Sequence, residues 1–136
     1  LGTWSGPGWT TVMDITNVLV TIQSLLDNDP LCNEPGYEKK MQPNKELYDN
    51  YNMAIKYNTI NSLIINRIKY DLGDFEVFRT KMIECIHKYN DSINKNIIKD
   101  KNLKLTLNLK VYYISIDIDY DRLYNRYLKY YKNLNL

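Results

Sequence analysis

The spacing of apolar residues changes near residue 103, and this change limits the folds open to the chain. Before it, apolar residues recur mostly at helical spacing. After it they alternate strictly, first at Leu103, Leu105, Leu107, Leu109 and Val111, then at Ile114, Ile116 and Ile118. Alternation with period two is typical of a β-strand. The sequence therefore predicts a mainly helical chain with a strand or hairpin at residues 103–118, interrupted near Tyr112 and Tyr113.

Three helices are predicted before the strand region. Residues 14–26 carry one apolar stripe centred near Ile22, with Asp14 as N-cap. Residues 46–70 have apolar residues widely spread around the axis, which is typical of a helix buried on more than one side. Gly73 is expected to end that helix and Asp74 to cap the third. The core-facing residues of the third helix are expected to be Phe75, Phe78, Met82, Ile86, Tyr89 and Ile93.

A last helix is predicted after the strands, capped by Asp119 or Asp121. Its lysines and tyrosines could stack on nucleic-acid bases, but the net charge favours an amphipathic docking helix. Its apolar face is expected to consist of Leu123, Tyr124, Tyr127, Leu128 and Tyr131.

Composition excludes several classes of protein. The length of 136 residues fits one domain, and a net charge of +2 does not suggest a nucleic-acid or anionic-membrane partner. No apolar run approaches the roughly 18 residues of a membrane span. Two cysteines do not form a disulfide framework, so we expect a reducing setting in the cytoplasm or nucleus. No phosphate-binding or metal-binding motif is present, and no cofactor is expected.

The residues by themselves give no convincing active site. Cys85 and the only histidine, His87, are two positions apart, so on a helix they do not face each other. Cys85 is expected to be a small buried hydrophobic residue. Cys32 follows a helix C-terminus and lies beside acidic residues, an environment that disfavours the thiolate.

Linked motifs in the first forty residues resemble a known family. They are LGTWSGPGW at residues 1–9, VLVTIQSLL at residues 18–26 and NEPGYE at residues 33–38. Together they resemble the ubiquitin-conjugating enzymes, in particular the type-Z (Use1-like) class. One departure is Thr10-Thr11-Val12, where the wider family usually has Ser-Pro-Ala.

The resemblance implies a fold and its boundaries. Residues 1–100 would be the C-terminal, helical half of an α/β ubiquitin-conjugating (UBC-like) fold, and residues 101–136 a family-specific extension of a strand and a helix. The nucleophilic cysteine would lie shortly before Leu1, so the chain alone is expected to be inactive. The apolar faces of its helices would be covered by residues 103–118, by the last helix, or by a second copy in a dimer.

The resemblance also implies roles for particular residues. Glu34, in the turn after the first helix, would help position or deprotonate the incoming lysine, although it could instead only cap the turn. The loop that faces the ubiquitin ligase would comprise Trp9, Thr10, Thr11 and Val12. The modifier-binding face would comprise Asn17, Val20 and Ser24, although Val20 could also be an ordinary exposed valine.

The implied function is transfer of ubiquitin or a ubiquitin-like protein from a cysteine thioester to a substrate lysine. The partners would be that modifier, an activating enzyme, a ubiquitin ligase and a protein substrate. One alternative is a non-catalytic domain of the same family that only binds partners. Another is a helical interaction module whose similarity is due to chance.

Overall fold

The computed structural model describes residues 14–37, 45–70 and 72–134. Two short 3₁₀ helices (Pro30–Asn33 and Gly73–Phe78) and a π-helical segment (Thr59–Asn66) accompany the regular elements. Those elements, in chain order, are α1 (Ile15–Ser24), α2 (Lys45–Asn58), α3 (Arg67–Lys69), α4 (Arg79–Lys99), β1 (Lys104–Leu109), β2 (Ile114–Asp119) and α5 (Tyr120–Lys132). The described chain is thus mainly helical, as predicted.

The first predicted helix and its cap are confirmed. The carboxylate of Asp14 accepts a hydrogen bond from the backbone N–H of Asn17 at 2.8 Å, which satisfies one free donor of the first turn. No side chain of α1 is buried, however. Its apolar stripe is exposed to solvent, and even Ile22 at the centre of the stripe is 51% exposed. Within the described chain, α1 therefore lies outside the core.

The second predicted helix is continuous from α2 through the π segment to α3. Buried residues lie along it at Tyr48, Tyr51, Ala54, Tyr57, Ile60 and Ile65. The wider turn of the π segment places Asn61 and Asn66 near each other, and both side-chain oxygens accept hydrogen bonds from Arg126 of α5. The prediction of a helix buried on more than one side is confirmed by its contacts with the hairpin and α5.

The predicted start and face of the next helix are wrong. Gly73 does have a positive φ of 55°, but Asp74 lies inside a 3₁₀ helix and Phe78 is the N-cap of α4. Phe75 and Phe78 are therefore exposed and stack on each other, with ring centroids 6.5 Å apart.

The buried side of α4 is rotated from the predicted one. It is formed by Ile83, Ile86 and Ile97, whereas Tyr89 is 52% exposed. Cys85 points away from this side and is exposed, so its prediction as a buried residue is wrong. Met82 and Ile93 are partly buried, as their positions near the edge of the buried side require.

The two predicted strands form an antiparallel hairpin. β1 pairs with β2 in a register that places Leu107 opposite Ile116. The chain reverses at residues 110–113, where Tyr113 has a φ of 54°. A non-glycine residue thus adopts the left-handed conformation that a turn needs, which explains why neither glycine nor proline marks this hairpin.

The core lies between α2, the hairpin, α4 and α5. Asp119 caps α5 by accepting from the N–H of Arg122 at 2.8 Å, which decides between the two predicted caps. Tyr120, Leu123 and Tyr127 of α5 have no exposed surface. No helix of the described residues is both long and apolar enough to cross a membrane.

Candidate functional site

The turn that follows α1, residues 27–37, contains three carboxylates and is called the acidic turn here. The backbone N–H of Asp29 donates to Asp27 Oδ1 at 2.8 Å. The side-chain amide of Asn33 donates to the carbonyl of Leu25 at 3.0 Å and so ties the acidic turn to the end of α1. The fully buried side chain of Leu31 anchors the turn in the core. Hydrogen bonds and the buried Leu31 therefore hold this segment in place.

Glu34 is held from one side by α2. The hydroxyl of Tyr51 donates to Glu34 Oε1 at 3.0 Å, and the hydroxyl of Tyr48 donates to the carbonyl of Tyr37. Tyr48 and Tyr51 are three residues apart, so both lie on one face of α2 and reach the same turn. Gly36 allows the chain to reverse there, with a φ of 86°.

Tyr112 of the hairpin turn lies beside Tyr51. Its ring centroid lies 6.4 Å from that of Tyr51. A hydrogen bond with the Glu34 side chain is the largest cause that raises the pKa of Tyr112. Burial, followed by the bond to Glu34, raises the pKa of Tyr51 well above its usual range. Both phenols therefore stay protonated and can act as donors to the carboxylate at physiological pH.

The contacts around Glu34 hold its negatively charged carboxylate in place, and the described residues of the acidic turn do not form a metal site. Among the described residues, no group of three or more histidine, cysteine or acidic side chains could hold a metal ion. Glu34 is half-buried, with Asp27 and Asp29 on the same turn. A carboxylate so placed can attract an ammonium group and accept its proton.

The three residues predicted to bind the modifier share one face of α1. Asn17, Val20 and Ser24 are all exposed. The hydroxyl of Ser24 donates to the backbone carbonyl of Thr21 at 2.7 Å. Val20 is 58% exposed, as much as Leu19 of the apolar stripe, so exposure does not distinguish the two faces. The predicted ligase-facing residues Trp9, Thr10, Thr11 and Val12 lie outside the described residues.

Neither cysteine of the described chain has a histidine partner in the structure. Cys32 is half-buried and packs against the core. His87 points its Nδ1 at the hydroxyl of Tyr131, 3.0 Å away on α5, rather than toward Cys85. The prediction that Cys85 and His87 do not form a catalytic pair agrees with this geometry.

Comparison with known proteins identifies the relatives of this chain. It is 35% identical over 91 residues to the human ubiquitin-conjugating enzyme E2 Z and 33% identical over 91 residues to that of Danio rerio. The chain is homologous to ubiquitin-conjugating enzymes of the E2 Z type. Each match covers 67% of this chain, but the chain spans only about a quarter of the length of these E2 Z relatives.

A viral protein is also similar to this chain. The probable ubiquitin-conjugating enzyme E2 R521 of Acanthamoeba polyphaga mimivirus is 36% identical over 83 aligned positions, and the match covers 56% of this chain and 6% of the relative. No protein-family model matches the chain.

Sequence reasoning on this E2 Z homologue missed two residues of the site. Tyr51 falls within the predicted helix of residues 46–70 and Tyr112 at the predicted strand interruption, and neither residue was assigned to the site. The spacing of Tyr48 and Tyr51 does place their hydroxyls on one helix face. No local pattern, however, links Tyr51 or Tyr112 to Glu34, because that contact depends on the tertiary fold.

Proposed function

We propose that this chain is part of a ubiquitin-conjugating enzyme that transfers ubiquitin or a ubiquitin-like protein to lysine. The modifier would be carried as a thioester on a cysteine outside this chain, and the described part would position the acceptor. Homology to the E2 Z enzymes supports the family. The observation that carries the proposed role is the Glu34 carboxylate, held at 3.0 Å by Tyr51 on a turn anchored to the core.

Glu34 would act on the acceptor lysine. A lysine attacks a thioester only as the neutral amine, and its ammonium form predominates at neutral pH. The carboxylate would attract the ammonium group, orient it and accept a proton as the nitrogen bonds to the thioester carbon. The cysteine thiolate would then leave. A thioester is already a reactive acyl donor, so orientation and proton removal are the main tasks left to the protein.

The exposed residues of α1 would bind the carried modifier. Asn17, Val20 and Ser24 form a continuous exposed face on the helix that leads into the acidic turn. An activating enzyme, a ubiquitin ligase and a protein substrate would be the further partners, and the protein would act in the cytoplasm or nucleus.

Thioester charging tests the proposal. This chain and a chain extended upstream are each mixed with the modifier, ATP and an activating enzyme, and resolved on a non-reducing gel. An adduct that is reducible and forms only on the extended chain supports the proposal. The non-catalytic alternative predicts no such adduct on either chain. An adduct on this chain alone, abolished by Cys32→Ser or Cys85→Ser, would contradict the proposed position of the nucleophile.

The role of Glu34 is tested on the charged, extended protein. Glu34→Gln should slow discharge of the modifier to free lysine by roughly 100-fold, the lower end of general acid–base contributions. Charging itself should be unchanged because it does not use the lysine. Asp27→Asn is the matched control, since the asparagine retains the side-chain oxygen that accepts from Asp29. Equal discharge rates for Glu34→Gln and the unmodified protein would refute the role.

A further inference from the structure

The acidic turn and the hairpin are far apart in sequence but meet at one carboxylate. Tyr51 is 4% exposed, and its hydroxyl reaches Glu34 Oε1 from the buried side. Tyr112 is 47% exposed and lies on the hairpin turn, with its ring beside that of Tyr51. Tyr51 therefore bonds the carboxylate from the core, and Tyr112 stands beside Tyr51 on the solvent-facing side.

We infer that Tyr51, with the ring of Tyr112 packed beside it, is a positioning residue that holds the Glu34 carboxylate in one orientation for the acceptor lysine. The inference rests on the proposed function of Glu34 and adds the hairpin to the candidate site. Tyr51 fixes one carboxylate oxygen through a direct hydrogen bond. Tyr112 lies beside the Tyr51 ring from the hairpin turn, so residues 104–119 contribute to the site as well as to the core.

The geometry favours a positioning role over simple packing. Tyr51 directs its hydroxyl to the acidic side chain of the turn, whereas Tyr48 on the same helix face donates to a backbone carbonyl. The glutamate side chain has three rotatable bonds, and the hydrogen bond from Tyr51 limits their rotation. Because both phenols have raised pKa values, they remain donors over the pH range in which the lysine is activated.

The test uses the extended protein that carries the thioester. Tyr51→Phe should leave charging unchanged and slow discharge to lysine by about tenfold, the factor expected for one lost charge-assisted hydrogen bond. Tyr112→Ala, which removes the ring beside Tyr51, should also leave charging unchanged and slow discharge to lysine by a smaller factor. Discharge to hydroxylamine, which is largely neutral at neutral pH, should change little. A rate loss limited to lysine separates positioning of the carboxylate from general loss of structure.

Two control variants match these substitutions. Tyr48→Phe removes a hydroxyl from the same face of α2 that bonds the backbone of the acidic turn instead of Glu34. Tyr113→Ala removes the ring of the neighbouring, 95% exposed residue of the hairpin turn. Both should discharge lysine at the normal rate. A Tyr48→Phe variant as slow as Tyr51→Phe would assign the effect to the fold of the turn and overturn the inference.

The outcomes separate the inference from the proposed function. If Glu34→Gln slows lysine discharge but both positioning variants do not, the inference is overturned and the role of Glu34 is kept. If Glu34→Gln has no effect, both are overturned. A second measurement needs no thioester: Glu34→Gln should lower the pKa of Tyr112, followed by NMR of its ring carbons. An unchanged pKa would show that the carboxylate and Tyr112 do not interact.

Discussion

Tyr120 tests how a buried polar group affects the stability of the core, because its hydroxyl has no hydrogen-bond partner within the described part of the chain. The residue begins α5, has no exposed surface and packs edge-on against Tyr57, with ring centroids 5.4 Å apart. Its hydroxyl has no hydrogen-bond partner among the described residues. Burying a hydroxyl without a partner costs about 1–3 kcal/mol. Tyr120→Phe keeps the ring contact and removes this cost.

We expect Tyr120→Phe to raise the free energy of unfolding by about 1 kcal/mol, since the small void left by the oxygen offsets part of the gain. The assay is urea unfolding followed by circular dichroism at neutral pH. Tyr127→Phe is the matched control: Tyr127 is equally buried, but its hydroxyl donates to Asn90 Oδ1 at 3.0 Å. That variant should lose about 1 kcal/mol.

Tyr120 should also make the stability of the protein depend on pH in the alkaline range. Burial raises the pKa of Tyr120 from 10.0 to about 12. Below the unfolded pKa both states keep the proton, and between the two values the unfolded state releases it first. Stability therefore falls with rising pH in this window, by at most about 1.4 kcal/mol per pH unit for one group. Tyr120→Phe should reduce this slope. If it destabilises the protein like Tyr127→Phe and leaves the slope unchanged, the reasoning is refuted.

Three further predictions concern other parts of the fold. Tyr113→Gly should raise the urea midpoint, with a gain of about 1 kcal/mol, because glycine relieves the left-handed conformation and the exposed ring loses no packing. Arg126→Lys should lower the midpoint by about 1 kcal/mol, because a lysine cannot bond Asn61 and Asn66 through one planar group. The hydrogen bond from the Arg122 N–H lowers the pKa of Asp119 below 3.8. The ionised carboxylate therefore adds to the free energy of unfolding above pH 3.8, and this stabilisation is lost as the pH falls through the lowered pKa. Asp119→Asn should flatten this acid loss in urea titrations.

Patterns within single elements predicted most of the fold. The cap of α1 and the extent of the continuous helix from α2 to α3 follow from side-chain chemistry that operates over a few residues. The hairpin follows from alternation, since period two places Leu107 and Leu109 on the same face of the strand and that face is buried. In α5, too, the predicted face contains the buried Leu123 and Tyr127.

The wrong predictions concern residues whose positions depend on neighbouring elements and not on the periodicity of their own helix. Phe75 and Phe78 continue the helical spacing of α4, but a 3₁₀ helix precedes α4 and turns them away from the core. Arg79 stabilises that local geometry by bonding Glu76 and the carbonyl of Tyr70. Likewise, the contact between Tyr51 and Glu34 depends on how the acidic turn packs on α2. Helical periodicity contains no information on either outcome.

The exposed apolar stripe of α1 and the predicted modifier-binding face lie on opposite sides of the helix, and the stripe is the more apolar of the two. Ile15, Leu19 and Leu26 are 58–80% exposed. Burying each such side chain fully gains about 1.5–3 kcal/mol. The stripe therefore gains more from association than the face of Asn17, Val20 and Ser24, which contains a single large apolar side chain. A partner or chain segment that covered the stripe would leave Val20 outward. The proposed modifier-binding role of Val20 is therefore compatible with a stripe that a partner or chain segment covers.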